Sequence, residues 1–90
     1  YDLKIKDVLE GDGRLKNHMG SLVLEDRSGT EVGNVGTGFS DSMRKEIFEN
    51  KKKYIGQLVK ITSDKPLVAK SLRGPAFAGF TVDKSTPDLL

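Results

Sequence analysis

Ser21-Leu22-Val23-Leu24-Glu25-Asp26-Arg27-Ser28-Gly29-Thr30-Glu31-Val32-Gly33-Asn34-Val35 decides how this chain is read. Leu22 and Leu24 alternate with their neighbours, which marks a half-buried strand over Ser21 to Glu25. Asp26-Arg27-Ser28-Gly29 has turn chemistry, with a glycine free to take positive φ. Thr30 to Val35 then returns as the partner strand, so the segment is a β-hairpin. Gly33 inside the second arm marks a bulge or a close backbone approach.

Outward from the hairpin, the pattern continues in short elements. Upstream, Leu3 and Ile5 alternate, and Val8 follows with changed parity. The slip predicts a bulge near Lys6 or Asp7, a bend that a first strand needs if a small barrel is to close. Gly11 to Gly20 reads as an exposed loop carrying Arg14, Lys16 and His18. Downstream, Gly36-Thr37-Gly38-Phe39 leads to Ser40, a helix N-cap, and Asp41, an acid suited to the positive end of the helix dipole. Met43, Ile47 and Phe48 form an apolar stripe at helical spacing, and Lys51 to Lys53 follow at the far end. Gln57 to Thr62 and Ala76 to Asp83 read as fourth and fifth strands. The long basic connection between them has room for a short extra strand at Leu67 to Ala69. Three strands, one helix and two strands is the order of the oligonucleotide-binding (OB) fold. The expected architecture is therefore all-β with one helix: a five-stranded OB-fold Greek-key barrel, the helix between strands 3 and 4. Residues 1–84 form the domain and 85–90 a flexible tail.

Ninety residues with 36% hydrophobic content make one domain with a modest core. The chain has no cysteine, which excludes disulfides, zinc-thiolate sites and thiol catalysis and fits an intracellular setting. No apolar run is long enough to span a membrane, and no signal peptide is visible. The start at Tyr1 and the polar end suggest a domain cut from a longer protein. Net charge is only +2, but it is unevenly placed. Residues 1–41 carry five basic and eight acidic side chains, and residues 42–70 carry eight basic and three acidic. A basic middle third can face phosphate, or simply solvate a helix.

Two segments carry the candidate chemistry. Val35-Gly36-Thr37-Gly38-Phe39-Ser40-Asp41 combines a glycine turn with helix-start amides, which can receive a phosphate or merely supply dihedrals. Phe39 either caps the barrel or presses into a minor groove as an apolar wedge. Ser71-Leu72-Arg73-Gly74-Pro75-Ala76-Phe77 follows, with Ile55-Gly56 before the fourth strand and Asp83-Lys84 at the end of the fifth. In this order the segments resemble the C-terminal OB domain of ATP-dependent DNA ligases of the small viral or bacterial kind. The resemblance runs from Val8 to Lys84. It implies a domain that lies across the minor groove of nicked duplex DNA and assists nucleotidyl transfer by a separate catalytic domain. The implied DNA-facing residues are Arg14, Lys16, Gly36, Thr37, Gly38, Phe39, Arg44 and Lys45. Arg73, Asp83 and Lys84 correspond to the motif that assists adenylylation, although Thr81 stands where the family has arginine. The domain itself needs no cofactor, while ATP and Mg2+ are implied for the parent ligase. The implied partners are nicked DNA and the nucleotidyltransferase domain of the same chain, with no membrane and a monomeric state in the cytoplasm.

No catalytic constellation stands beside these motifs. His18 is the only histidine and has no triad spacing, the acids are scattered among lysines, and the Lys-x-Asp-Gly of covalent nucleotidyl transfer is missing. The isolated chain should not ligate. Two further readings stay open: a free-standing OB module for single strands, which needs spare aromatic platforms, and a protein-interaction barrel.

Overall fold

The computed structural model describes residues 1–63 and 74–89. Five strands form one antiparallel sheet: β1 (Asp2–Glu10), β2 (Met19–Glu25), β3 (Glu31–Val35), β4 (Leu58–Thr62) and β5 (Ala76–Phe80). Helices α1 (Asp41–Glu49) and α2 (Lys51–Tyr54) lie between β3 and β4, and a 3-10 turn, Gly13–Leu15, sits in the first loop. The strand order is β3-β2-β1-β4-β5. The three-stranded meander is thus joined by a fourth strand returning beside the first, which is the Greek-key connection of an OB fold. Among the described residues the ladder is not closed, and β3 and β5 lie at its two ends.

The β1–β2 register slips between Ile5 and Asp7, where the change of apolar parity predicts it. The bulge keeps Leu3, Ile5 and Val8 all inward despite their broken alternation. They pack with Leu22, Leu24, Val32, Val35, Ile47, Val59 and Ile61 into one core. Phe39, Phe48, Tyr54, Phe77 and Phe80 are partly buried around its margin.

The hairpin turn is held from inside. Asp26 is only 1% exposed. Its Oδ1 accepts from the Ser28 amide at 2.9 Å, the Ser28 hydroxyl at 2.6 Å and the Thr30 amide at 3.3 Å. A carboxylate is well suited to collect several donors in one turn.

Strand and helix bounds differ from the sequence reading where non-local contacts decide them. β2 begins at Met19, two residues early, because Glu10 pairs with Met19. β5 stops at Phe80, although the Thr81 amide still donates to the Leu58 carbonyl at 3.0 Å. The single expected helix is broken at Asn50, whose φ of −125° and ψ of 41° leave the helical region. The Asn50 side chain returns to the Glu46 carbonyl and carboxylate, each at 3.0 Å, and so terminates α1. The expected strand at 67–69 lies outside the described residues.

Residues 84–89 run back along the start of the chain. The Asp88 amide donates to the Asp2 carbonyl, the Arg27 amide donates to the Asp88 carbonyl, and the Asp2 amide donates to Asp88 Oδ2. Lys84 bridges the two carboxylates: it pairs with Asp88 and, at 3.4 Å, with Asp2.

Candidate nucleic-acid interface

The loop between β3 and α1 closes the gap that the open ladder leaves. Gly38 has a φ of 95°, a conformation that disfavours any side chain. A Cβ on Gly38 would lie 2.6 Å from the Phe77 carbonyl oxygen. Glycine is therefore needed here twice, for its dihedral and for the approach of β5. The Phe77 amide donates to the Thr37 carbonyl at 2.8 Å. The ring of Phe77 stacks on Phe39 with centroids 4.4 Å apart and planes 19° from parallel. Phe39 is half-buried as a result, one face on β5.

A second close approach lies behind the loop. A Cβ on Gly36 would be 2.9 Å from the Gly20 carbonyl oxygen. The β2–β3 register ends at Leu22 and Val35, just short of this point. Here Arg44 takes over from the ladder. Its Nη1 donates to the Met19 and Gly20 carbonyls at 3.0 and 3.1 Å, and its Nη2 donates to the Gly36 carbonyl at 2.6 Å. The guanidinium also stands 5.5 Å from the Phe39 ring centroid. Arg44 is 8% exposed. Of the residues expected to face DNA, it is the one that the fold takes inside.

Helix α1 starts as its sequence dictates. Ser40 is extended, and its hydroxyl accepts from the Met43 amide at 3.2 Å. Asp41 in the first turn meets Arg14 Nη1 at 3.1 Å across the surface. This contact brings the first loop to the residue that follows Phe39-Ser40. Arg14, Lys16, Thr37, Gly38 and Lys45 are all exposed. The Gly36–Phe39 turn, the start of α1 and the loop bearing Arg14 thus share one edge of the barrel.

Asp83 and Lys84 keep different company. Both are exposed, and Lys84 is engaged by Asp88 and Asp2 in the corner where the last described residues meet β1. The bond to Asp88 raises the Lys84 pKa above its usual value. The same bond lowers Asp88. Asp2 is lowered first by the Thr81 hydroxyl, which donates to it at 2.6 Å, and then by Lys84. Thr81 thus supports a carboxylate. Arg73 lies outside the described residues. Among the described residues no cluster of three or more His, Cys, Asp or Glu could hold a metal, and no helix is long and apolar enough to cross a membrane.

The model of the DNA ligase OB-like domain family matches residues 10–80. The chain belongs to that family. The ligase OB-like domain also has solved structural neighbours. A Chlorella virus DNA ligase-adenylate is 26% identical with a TM-score of 0.77, the match covering 93% of this chain and 30% of that one. A structure from a study of DNA binding with a minimal scaffold in Lig E DNA ligases is 25% identical with a TM-score of 0.74, covering 89% and 29%. A protein described as Pmar-Lig_PreS3 is 38% identical with a TM-score of 0.69, covering 88% and 20%. The ligase OB-like domain therefore spans less than a third of these chains. No curated protein matches it.

Two features of the site go beyond the sequence reading. The inward course of Arg44 has a signal in the sequence: position 44 lies three residues before Ile47 and four before Phe48, on the apolar side of α1. The Asp2–Asp88 contact joins residues 86 apart and has none.

Proposed function

We propose that this domain binds nicked duplex DNA as the OB arm of a larger ATP-dependent DNA ligase. A separate nucleotidyltransferase domain of the parent chain, using ATP and Mg2+, carries the chemistry, and the parent works as an intracellular monomer. The Gly36–Phe39 turn lies against the minor groove, with Phe39 offering its free margin to the sugars and the Gly36, Thr37 and Gly38 backbone near a phosphate. Arg14, Lys16 and Lys45 hold flanking phosphates and contribute affinity without reading sequence. Arg73, Asp83 and Lys84 assist adenylylation, with cations stabilising the leaving pyrophosphate.

The observation that carries this reading is the Arg14–Asp41 contact, which sets the basic first loop beside the glycine turn on one surface. The aromatic rings argue against a base-stacking single-strand module. Phe39, Phe77, Phe80 and Tyr54 are packed on one another, and Phe48 lies under Lys51.

An NMR titration of the domain with nicked duplex, intact duplex and single-stranded DNA at low salt tests the proposal. Shifts concentrated at residues 11–20 and 36–45, strongest for the nick, are expected. Lys16→Ala and Lys45→Ala should each reduce the slope of log K against log salt by about 1. No shifts with any DNA at low salt would end this reading. A preference for single strands would favour the stacking module.

A further inference from the structure

A cation on the second turn of α1, beside a DNA-facing loop, looks like a phosphate ligand. Arg44 is placed for something else. We infer that it is a positioning residue, fixing the Gly36–Phe39 turn in its DNA-binding shape without touching DNA. This inference rests on the proposed DNA-binding role of that turn.

Three facts converge on it. First, the guanidinium is already committed. Two of its nitrogens donate to three carbonyls, those of Met19, Gly20 and Gly36. Those carbonyls end two strands that are no longer paired to each other, since the β2–β3 register stops at Leu22 and Val35. Converging carbonyl dipoles repel, and a planar cation with forked donors is the side chain that can gather them. Second, the fold makes room for this arrangement, because Gly36 admits the Gly20 carbonyl to 2.9 Å from where a Cβ would sit. Third, the same guanidinium stands 5.5 Å from the Phe39 ring centroid, while Phe77 stacks on that ring from β5. One buried side chain thus bridges β2, the turn and the ring that the turn presents.

The alternative cations on this edge differ in kind. Arg14 is 72% exposed at its side chain and pairs with an exposed carboxylate. Lys45, next in sequence, is exposed. A phosphate can recruit these at the cost of at most one exposed ion pair, whereas recruiting Arg44 would release three carbonyls from their donor. Lysine cannot replace it: a compact ammonium on a flexible stem lacks the planar fork that reaches three acceptors at once.

The decisive comparison uses Arg44→Lys, which keeps the charge and removes the fork, with Lys45→Ala as the reference for a phosphate ligand. Binding of fluorescent nicked duplex is measured across a salt series. Arg44→Lys should weaken binding about tenfold, through a loosened turn, with the salt slope unchanged. Lys45→Ala should lower that slope by about 1. In the free Arg44→Lys protein, the amide resonances of residues 36–39 and the ring resonances of Phe39 should move. Wild-type protein supplies a measurement independent of any folding defect: the Arg44 Nη protons should exchange slowly with water and keep their shifts when DNA is added. A slope lowered by about 1 in Arg44→Lys, or Arg44 Nη signals that move on adding DNA, would make Arg44 a phosphate ligand and overturn the inference. Wild-type affinity and unchanged turn resonances in Arg44→Lys would overturn it too. If wild-type protein binds no DNA, the DNA-binding reading fails and the inference fails with it, whatever the free-protein resonances show.

Discussion

Gly38 and Gly56 offer a controlled experiment on how the barrel closes. Their φ angles are 95° and 96°, so alanine at either position meets the same left-handed strain. Only their surroundings differ. A Cβ on Gly56 meets nothing within 4 Å, whereas one on Gly38 meets the Phe77 carbonyl oxygen at 2.6 Å. Gly56→Ala should cost about 1–2 kcal/mol, the dihedral penalty alone. Gly38→Ala adds a forced retreat of β5 by about 0.8 Å, the difference between 2.6 Å and an ordinary contact of 3.4 Å. That retreat spoils the Phe77–Thr37 hydrogen bond, worth about 1 kcal/mol, and part of the Phe39–Phe77 stack, worth about 0.5–1.5 kcal/mol. The expected cost of Gly38→Ala is thus about 3–4 kcal/mol, some 2 kcal/mol beyond Gly56→Ala. Urea unfolding of both variants gives the comparison, read from midpoints at constant m. Costs that agree to within about 0.5 kcal/mol would show that β5 does not press on Gly38.

Two further outcomes follow from buried or paired carboxylates. Asp26→Ala should cost about 1–3 kcal/mol in the same assay, because it leaves the Ser28 and Thr30 amides of the turn without their acceptor; a loss below about 0.5 kcal/mol would mean that water replaces the carboxylate freely. The corner of Asp2, Lys84 and Asp88 predicts a pH window. Asp2 and Asp88 titrate below their usual 3.8, so their contribution to stability is present above that pH and disappears as pH falls through their folded values. Lys84 titrates above its usual 10.5, so its contribution is full below that pH and disappears as pH rises through its folded value. Amide-exchange protection at Arg27, which donates to the Asp88 carbonyl, should therefore fall at both extremes, and Asp88→Asn should remove the share of the acid-side dependence that Asp88 carries, leaving that of Asp2. Protection at Arg27 that stays constant as pH is lowered from neutrality through the folded values of both carboxylates would refute this.

Local chemistry makes much of the fold legible. The change of parity after Ile5 marks the bulge, Ser40 marks the start of α1, and Asp26 to Gly29 mark the hairpin turn. In each case the signal and the structure it predicts lie within a few residues. The site is legible where it is exposed: Arg14 and Lys16 read as surface-loop cations and lie on such a loop. It is obscured where long-range contact overrides residue type. Arg44 reads as a surface cation until the three carbonyls from Met19, Gly20 and Gly36 are assembled around it. Lys84 reads as a free motif lysine until Asp2 and Asp88 arrive from opposite ends of the described chain. The three carbonyls around Arg44 and the Asp2 contact of Lys84 depend on topology, which no local pattern encodes, whereas Asp88 lies only four residues from Lys84.

The two seams of the barrel resist opening differently. Between β1 and β4 the strands share a ladder over Asp2 to Lys4 and Leu58 to Lys60, so no single bond is decisive. On the other side, among the described residues, the approach of Thr37 to Phe77 depends on one backbone hydrogen bond and one ring stack. A ladder frays from its ends, but a clasp opens all at once. Hydrogen exchange should find the Phe77 amide opening at lower free energy than the ladder amides of β4, and in a single step that frees Phe39 as well. A ligand seated on Phe39 would then tighten the whole barrel from its weakest seam.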